Sequence, residues 1–203
     1  MNPYRKKIWA QFLPLLNDLE PPKAVLDFGC GDGWFASQIG MLWPDSQRLA
    51  IDIKRRDNAL VEPIIYAPGA PLPFPEGSVD LVYAVDVLHH CNSPEYYLDE
   101  ISRVSRHSLL IKDHTYTSWM GYAALAILDE LGNRKFGIPS PQNYQHGRKW
   151  TEHLAQRGWR LQKIIHPCPC HTGLLGALTN PLQYIALYQR STGSFEAAKL
   201  QSR

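Results

Sequence analysis

Two stretches of the chain hold residues whose types and spacing could do chemistry. The first is Val25-Leu26-Asp27-Phe28-Gly29-Cys30-Gly31-Asp32-Gly33. Glycines let a backbone turn tightly and approach a ligand closely. A loop of this kind between a buried strand and a helix is the context in which ligands are cradled. A dinucleotide loop of the form G-x-G-x-x-G would need glycine at position 34, where this chain has Trp34. Asp27 and Asp32 also flank the loop, and a pyrophosphate at a helix N-terminus disfavours neighbouring acids. The loop therefore suits a ligand carrying positive charge and argues against a nicotinamide dinucleotide.

The second stretch is discontinuous: Asp86, His89 and His90, then Asp113 and His114. Carboxylates and imidazoles are the usual groups for moving protons, and histidine titrates near neutrality. Adjacent residues at a strand end point to opposite sides. Asp113 and His114 are therefore not expected to bond each other, and only one should face a site. The run Cys168-Pro169-Cys170-His171, with His166 before it, invites a zinc reading. Its spacing lacks the paired C-x-x-C of common structural sites, so no metal is assigned.

Something must position these groups, and the apolar pattern supplies it. Ile8, Phe12, Leu15, Leu16 and Leu19 recur at helical spacing and stop at Pro21-Pro22. Short apolar runs predict strands at 24–28, 49–53, 64–66, 79–85 and 108–112. Helices are expected between them, one around Phe35, Ile39 and Leu42, another opening at Pro94 behind a Ser93 cap. An apolar helix is expected from Tyr116 to Leu131, closed by Gly132-Asn133. A helix around Arg148 to Arg157 and two late strands, 159–165 and 183–189, complete the pattern, while 167–181 shows no period. Strands alternating with helices imply βαβ units and a doubly wound, mostly parallel sheet, with the last strand antiparallel. In such a sheet, ligands lie at the carboxyl ends of the strands, near the point where strand order reverses. The glycine loop and the Asp/His groups all fall there.

Length and composition bound the rest. The 203 residues suit one domain, and 44% are apolar, enough for a full core. Twenty-one Lys+Arg against nineteen Asp+Glu leave a net charge of +2, too little to mark a nucleic-acid binder. No apolar stretch is long enough to span a bilayer, and the start lacks the uniform apolar run of a secretion signal. Four cysteines at 30, 91, 168 and 170 make no disulfide framework. A soluble, cytoplasmic protein is expected.

Four segments, in order, carry a resemblance. Val25 to Gly33, Ala50-Ile51-Asp52-Ile53, Leu72-Pro73-Phe74-Pro75-Glu76-Gly77-Ser78-Val79-Asp80-Leu81-Val82 and Asp86-Val87-Leu88-His89-His90 resemble class I S-adenosylmethionine-dependent methyltransferases, in their small-molecule "type 11" branch. The resemblance implies a seven-stranded methyltransferase sheet and S-adenosylmethionine as cofactor. It implies that Gly29, Cys30, Gly31 and Gly33 hold the amino-acid end, supported by Asp27. Asp52 would take both ribose hydroxyls, Ile53 would lie against the adenine, and Asp86 would border the methyl group. Many members carry an acid for the adenine amine where this chain has Pro68, so backbone near Gly69 is expected to read that ring. A weaker similarity continues through Lys112-Asp113-His114, Gly132-Asn133 and Asn143-Tyr144.

These readings combine into one expectation. An N-terminal helix in 1–21 covers the cofactor site, 22–190 form the transferase domain, and 191–203 form a polar tail. The chain methylates a small, partly apolar molecule, with His114, Asp113 and His90 as catalytic candidates. A catalytically silent partner subunit of the same fold is the alternative. No nucleic-acid or membrane partner is expected, and the oligomeric state is left open.

Overall fold

The computed structural model describes residues 2–133 and 141–191. One sheet organises them, in the order β3-β2-β1-β4-β5-β8-β7. The strands are β1 (Ala24–Phe28), β2 (Gln47–Asp52), β3 (Ile64–Ile65), β4 (Val79–Val85), β5 (Ser105–Tyr116), β7 (Trp159–Ile165) and β8 (Gln183–Arg190). A two-residue strand, β6 (Gln145–His146), pairs in parallel with the far end of β5. β1 to β5 pair in parallel, and β8 runs antiparallel to both β5 and β7. The expected antiparallel last strand is thus present, inserted between two strands of the other sense.

Every residue of β1 is buried, because helices cover both faces of the centre of the sheet. On one face, α1 (Pro3–Asn17) and α2 (Trp34–Leu42) pack Ile8, Phe12, Leu16, Phe35 and Ile39 against Val25, Leu81 and Leu110. On the other, α3 (Pro94–Val104) and α5 (Lys149–Ala155) pack Leu98, Ile101, Trp150 and Leu154 against Leu26, Val82 and Leu109. The order of β1, β2 and β4 puts the topological switch between β1 and β4, so their carboxyl ends open a crevice there.

Several boundaries differ from the sequence pattern. β5 begins at Ser105 and runs to Tyr116, well past the apolar run 108–112, because pairing with β4, β8 and β6 carries polar residues into the ladder. In consequence α4 starts at Trp119 instead of Tyr116 and reaches Asn133. The unassigned 167–181 contains α6 (Gly173–Thr179), followed by a 3-10 turn at Asn180–Leu182. Its seven residues include two glycines, and its leucines 174, 175 and 178 are exposed, so no buried face marked it. Ser93 stands at the N-cap of α3 as expected, but its side chain makes no capping bond. Apart from Ser191, the expected polar tail lies outside the described residues.

Candidate active site

At the end of β1 the chain turns through three glycines with φ between +61° and +75°. Two of these positions admit nothing larger. A Cβ on Gly29 would sit 2.2 Å from Val87 Cγ2, and one on Gly33 would sit 2.2 Å from Val61 Cγ2. The loop is tied to β2: the N–H groups of Gly29 and Cys30 donate to Ile51 O at 2.9 and 3.1 Å. The Gly31 N–H donates to Asp52 Oδ2 at 2.7 Å, while Asp52 Oδ1 accepts the Ile53 N–H at 2.7 Å. Asp52 thereby couples the glycine loop to the end of the neighbouring strand.

These ends open into a cavity of about 740 Å³, within the size range of small-ligand sites. Gly29, Asp52, Ile53 and Gly69 line one part of it, and Asp86, Val87 and His90 another. Tyr66, Tyr96 and Tyr97 add an aromatic wall. Pro68 and Gly69 also border it, and the Gly69 N–H donates to Tyr97 Oη at 2.7 Å. That N–H is thus engaged inside the protein. Cys30, Gly31 and Gly33 shape the loop but do not line the cavity. Asp27 lies beneath it, almost fully buried, with its Oδ2 lacking any partner. Burial pushes the Asp27 carboxyl up to about 7, against the lowering effect of the Tyr83 hydroxyl.

Asp86 ends β4 in the left-handed region, at φ +51°, a conformation strained for a residue with a side chain. Its carboxylate is held by the Lys112 ammonium and by the Tyr4 hydroxyl, the latter at 2.8 Å. Lys112 is fully buried in β5 and also donates to Tyr4 Oη and Gln183 Oε1. Burial alone would raise the Asp86 carboxyl, but the adjacent Lys112 holds it below its ordinary value. α1 reaches the site through this contact and a second one. Arg5 Nη1 lies 2.9 and 2.7 Å from the two Asp32 carboxylate oxygens, beside the glycine loop.

Behind the far wall, the histidines form one cluster. Asp113 is fully buried and accepts the N–H of Leu88 at 3.1 Å, the N–H of His114 at 2.7 Å and His89 Nδ1 at 2.5 Å. His114 Nδ1 lies 3.3 Å from the same Asp113 oxygen. The expectation that Asp113 and His114 stand apart is therefore wrong. Asp113 lies inside β5 instead of at its end, and its short side chain folds back along the strand, where it meets both the backbone N–H and the ring Nδ1 of the next residue. Burial would lower the His89 imidazole, yet the Asp113 carboxylate raises it to about 10. His90 is lowered to about 4 by burial and by His89, and His114 is lowered for the same two reasons. Of the three catalytic candidates, only His90 lines the cavity; Asp113 and His114 stand behind it.

Sequence reasoning missed Tyr4, Gln183 and Asp129, and it named Lys112 without giving it a role. Lys112 carried a signal, being the one cation in an otherwise apolar buried run. Tyr4, Gln183 and Asp129 come from distant segments and carried none. Cys168, Cys170 and His171 form no three-ligand group among the described residues; Cys170 Sγ instead packs 3.6 Å from His171 Nδ1.

The residues fit S-adenosylmethionine on the structure's own terms. An orphaned buried carboxylate oxygen lies under the loop that would hold a cationic amino-acid end, and a second carboxylate faces the cavity where a ribose would lie. Comparison with known proteins points the same way. Residues 26–108 match the family model described as a methyltransferase domain. A malonyl-[acyl-carrier protein] O-methyltransferase of Legionella pneumophila is 29% identical over 110 residues, 49% of this chain. The matched stretch spans 39% of that relative's length. Among solved structures, an S-adenosylmethionine-dependent methyltransferase of Mesorhizobium loti has a TM-score of 0.61 at 14% identity, over 87% of this chain and 96% of that one. One from Aquifex aeolicus has a TM-score of 0.56 at 18% identity, over 87% of each chain. A chain of the complex between the Haloferax volcanii Trm112 methyltransferase activator and a methyltransferase has a TM-score of 0.62 at 11% identity, over 85% and 84%. These likenesses concern the fold.

Proposed function

We propose that this chain is a class I S-adenosylmethionine-dependent methyltransferase that transfers the sulfonium methyl of that cofactor to a small, partly apolar acceptor. The observation that carries the reading is a single cavity that joins Asp52 and the glycine loop to Asp86 and His90. A cofactor laid from Asp52 toward Asp86 would present its methyl group to the part of the cavity lined by His90, Cys91 and Asn92.

The cofactor supplies an activated methyl group, so alignment and exclusion of water are the protein's main contributions. Asp52 is placed to accept from the ribose hydroxyls, and Ile53 and the tyrosine wall to flank the base. Asp86, fixed by Lys112 and Tyr4, would offer negative charge to a bound sulfonium. The first turn of α1, tied by Arg5 to the glycine loop, closes that end from solvent. His90 faces the acceptor, and Asp113 and His114 hold the neighbouring His89 ring in place behind it. The Legionella relative makes a malonyl-type acyl compound a sensible first acceptor class to test. An O-, N- or S-acceptor of similar size is compatible with the same cavity.

The test is direct. Calorimetry should give binding of S-adenosylmethionine and S-adenosylhomocysteine and none of NADH, and a panel of carboxylic acids, phenols and amines should release S-adenosylhomocysteine with at least one member. Cofactor binding with no turnover on any class would favour the silent partner subunit. On the true acceptor, His114→Ala should lower turnover while cofactor affinity stays within a few-fold. Equal loss of both would make His114 purely structural.

A further inference from the structure

Three side-chain atoms that could each serve as a ligand, His89 Nε2 once it gives up its proton, converge from two separate elements beside the acceptor end of the cavity. His89 and His90 are consecutive in the 3-10 turn after β4, and Asp129 comes from α4. His89 Nε2 lies 3.7 Å and His90 Nε2 lies 3.9 Å from Asp129 Oδ1. All three atoms fall within 4.8 Å of one another. Both are ion-pair distances, longer than an ordinary hydrogen bond. In a tetrahedral site with bonds of about 2.0–2.2 Å, ligand atoms stand about 3.3–3.6 Å apart. A contraction of a few tenths of an ångström brings each histidine to that spacing from Asp129, and the two imidazole nitrogens, within 4.8 Å of each other, would draw together on an ion.

The surroundings orient two of the three groups as metal ligands are oriented. His89 Nδ1 meets Asp113 Oδ1 at 2.5 Å, and Asp113 is itself fixed by the backbone of Leu88 and His114. That carboxylate–imidazole pair sets the ring so that Nε2 points away, toward Asp129. On the other side, the Tyr144 hydroxyl donates to Asp129 Oδ2 at 2.9 Å, which turns Oδ1 toward the histidines. A run of adjacent histidines could not announce this in the sequence, because the third ligand and both orienting groups come from three further segments.

We propose that His89, His90 and Asp129 bind a divalent first-row transition ion, with Asp113 and Tyr144 as the residues that position two of the ligands. Two imidazoles and one carboxylate suit zinc, cobalt, manganese or iron, whereas magnesium and calcium favour oxygen-only sets. Three protein ligands leave a coordination position open, and His90 places it at the cavity wall. The open position would take an oxygen of the acceptor. That role rests on the methyltransferase reading, whereas the ion site itself does not.

The experiment uses the full chain, freed of metal by a chelator and dialysed, and titrated with Co²⁺ while its visible spectrum is followed. Zn²⁺ then competes, and Mg²⁺ is the control. One equivalent of Co²⁺ should bind without a thiolate charge-transfer band, and Mg²⁺ should not displace it. His90→Asn and Asp129→Asn should each weaken Co²⁺ binding by more than about 10-fold, and Asp113→Asn by roughly 10- to 100-fold. The double variant Cys168→Ser/Cys170→Ser should bind as the parent does. No binding in a folded parent would overturn the proposal. So would a thiolate band lost in the cysteine variant, or binding untouched by both His90→Asn and Asp129→Asn. S-adenosylmethionine affinity is measured on the same samples and should stay within a few-fold in Asp129→Asn, a residue outside the cavity lining. A parent that binds Co²⁺ and no S-adenosylmethionine would keep the ion site and overturn the acceptor-holding role alone.

Discussion

Asp52 and Asp27 are both carboxylates of the loop region, and their surroundings give them opposite behaviour. Asp52 stands at the cavity wall with Oδ2 accepting one backbone N–H and Oδ1 accepting that of Ile53 and, at a long 3.4 Å, that of Lys54, so the carboxylate keeps room for a diol. Two charge-assisted hydrogen bonds contribute roughly 1.5–3 kcal/mol together after desolvation. Asp52→Ala should therefore weaken S-adenosylmethionine and S-adenosylhomocysteine alike, by roughly 10- to 150-fold. Unchanged affinity in a well-folded variant, measured by calorimetry, would remove the ribose assignment. Asp27 is buried with a partnerless oxygen, and its carboxyl is raised to about 7, above an unfolded value of about 3.9. The folded state then binds the extra proton, so this contribution to stability is complete below about pH 4 and lost as pH rises through about 7. Urea unfolding of the free protein should show Asp27→Asn gaining on the parent at pH 8 relative to pH 5. Bound S-adenosylmethionine, whose positive charge favours the ionised form, should shrink that gain, and S-adenosylhomocysteine should shrink it less. At this scale the sequence was readable where a residue ends a predicted strand, as Asp52, Asp86 and Asp113 do. The partners were not: Tyr4 and Gln183 reach Lys112 across 108 and 71 residues of chain, and no local pattern encodes such contacts.

α1 shows what an element adds that its own residues do not reveal. Its Ile8, Phe12, Leu15 and Leu16 are buried against the sheet, the face that the helical spacing predicted. Ile8→Ala should cost about 2–5 kcal/mol in urea unfolding, the usual range for emptying a packed site. The first turn is different: Tyr4 and Arg5 hold it over the site through polar contacts with Asp86 and Asp32. The Arg5–Asp32 pair is partly exposed, and such pairs contribute about 0–1 kcal/mol. Arg5→Ala should therefore keep the melting temperature nearly unchanged while speeding cofactor release in stopped-flow. A release rate equal to the parent's would mean that the first turn does not close the site. The strands were legible because β1 and β4 are nearly continuous apolar runs bounded by turn residues, and β7 opens by alternating apolar and polar residues. β5 was half legible, since its outer residues Thr115 and Tyr116 are held by pairing to β6, a tertiary fact. α6 was hidden because it offers no amphipathic period.

For the whole molecule, the sheet order places the glycine loop, Asp52, Asp86 and the histidine cluster along one crevice, although they span residues 27 to 129 of the chain. A ligand lying in that crevice would touch the ends of β1, β2 and β4 together, and so should stabilise the native state as a unit instead of one loop. Binding to the native state alone adds about 2.7 kcal/mol at a ligand concentration 100 times Kd. For a domain of this size, each kcal/mol moves Tm by about 2–4 °C. Saturating S-adenosylhomocysteine at that concentration should thus raise Tm by about 5–11 °C in differential scanning calorimetry. NADH at the same concentration should leave Tm unchanged, because Trp34 stands where a dinucleotide loop needs glycine and because Asp27 and Asp32 oppose a pyrophosphate. In Asp52→Ala the shift should fall in step with the lost affinity at fixed ligand. A Tm raised by NADH and not by S-adenosylhomocysteine would reverse the cofactor assignment, since the same crevice would then be holding a dinucleotide.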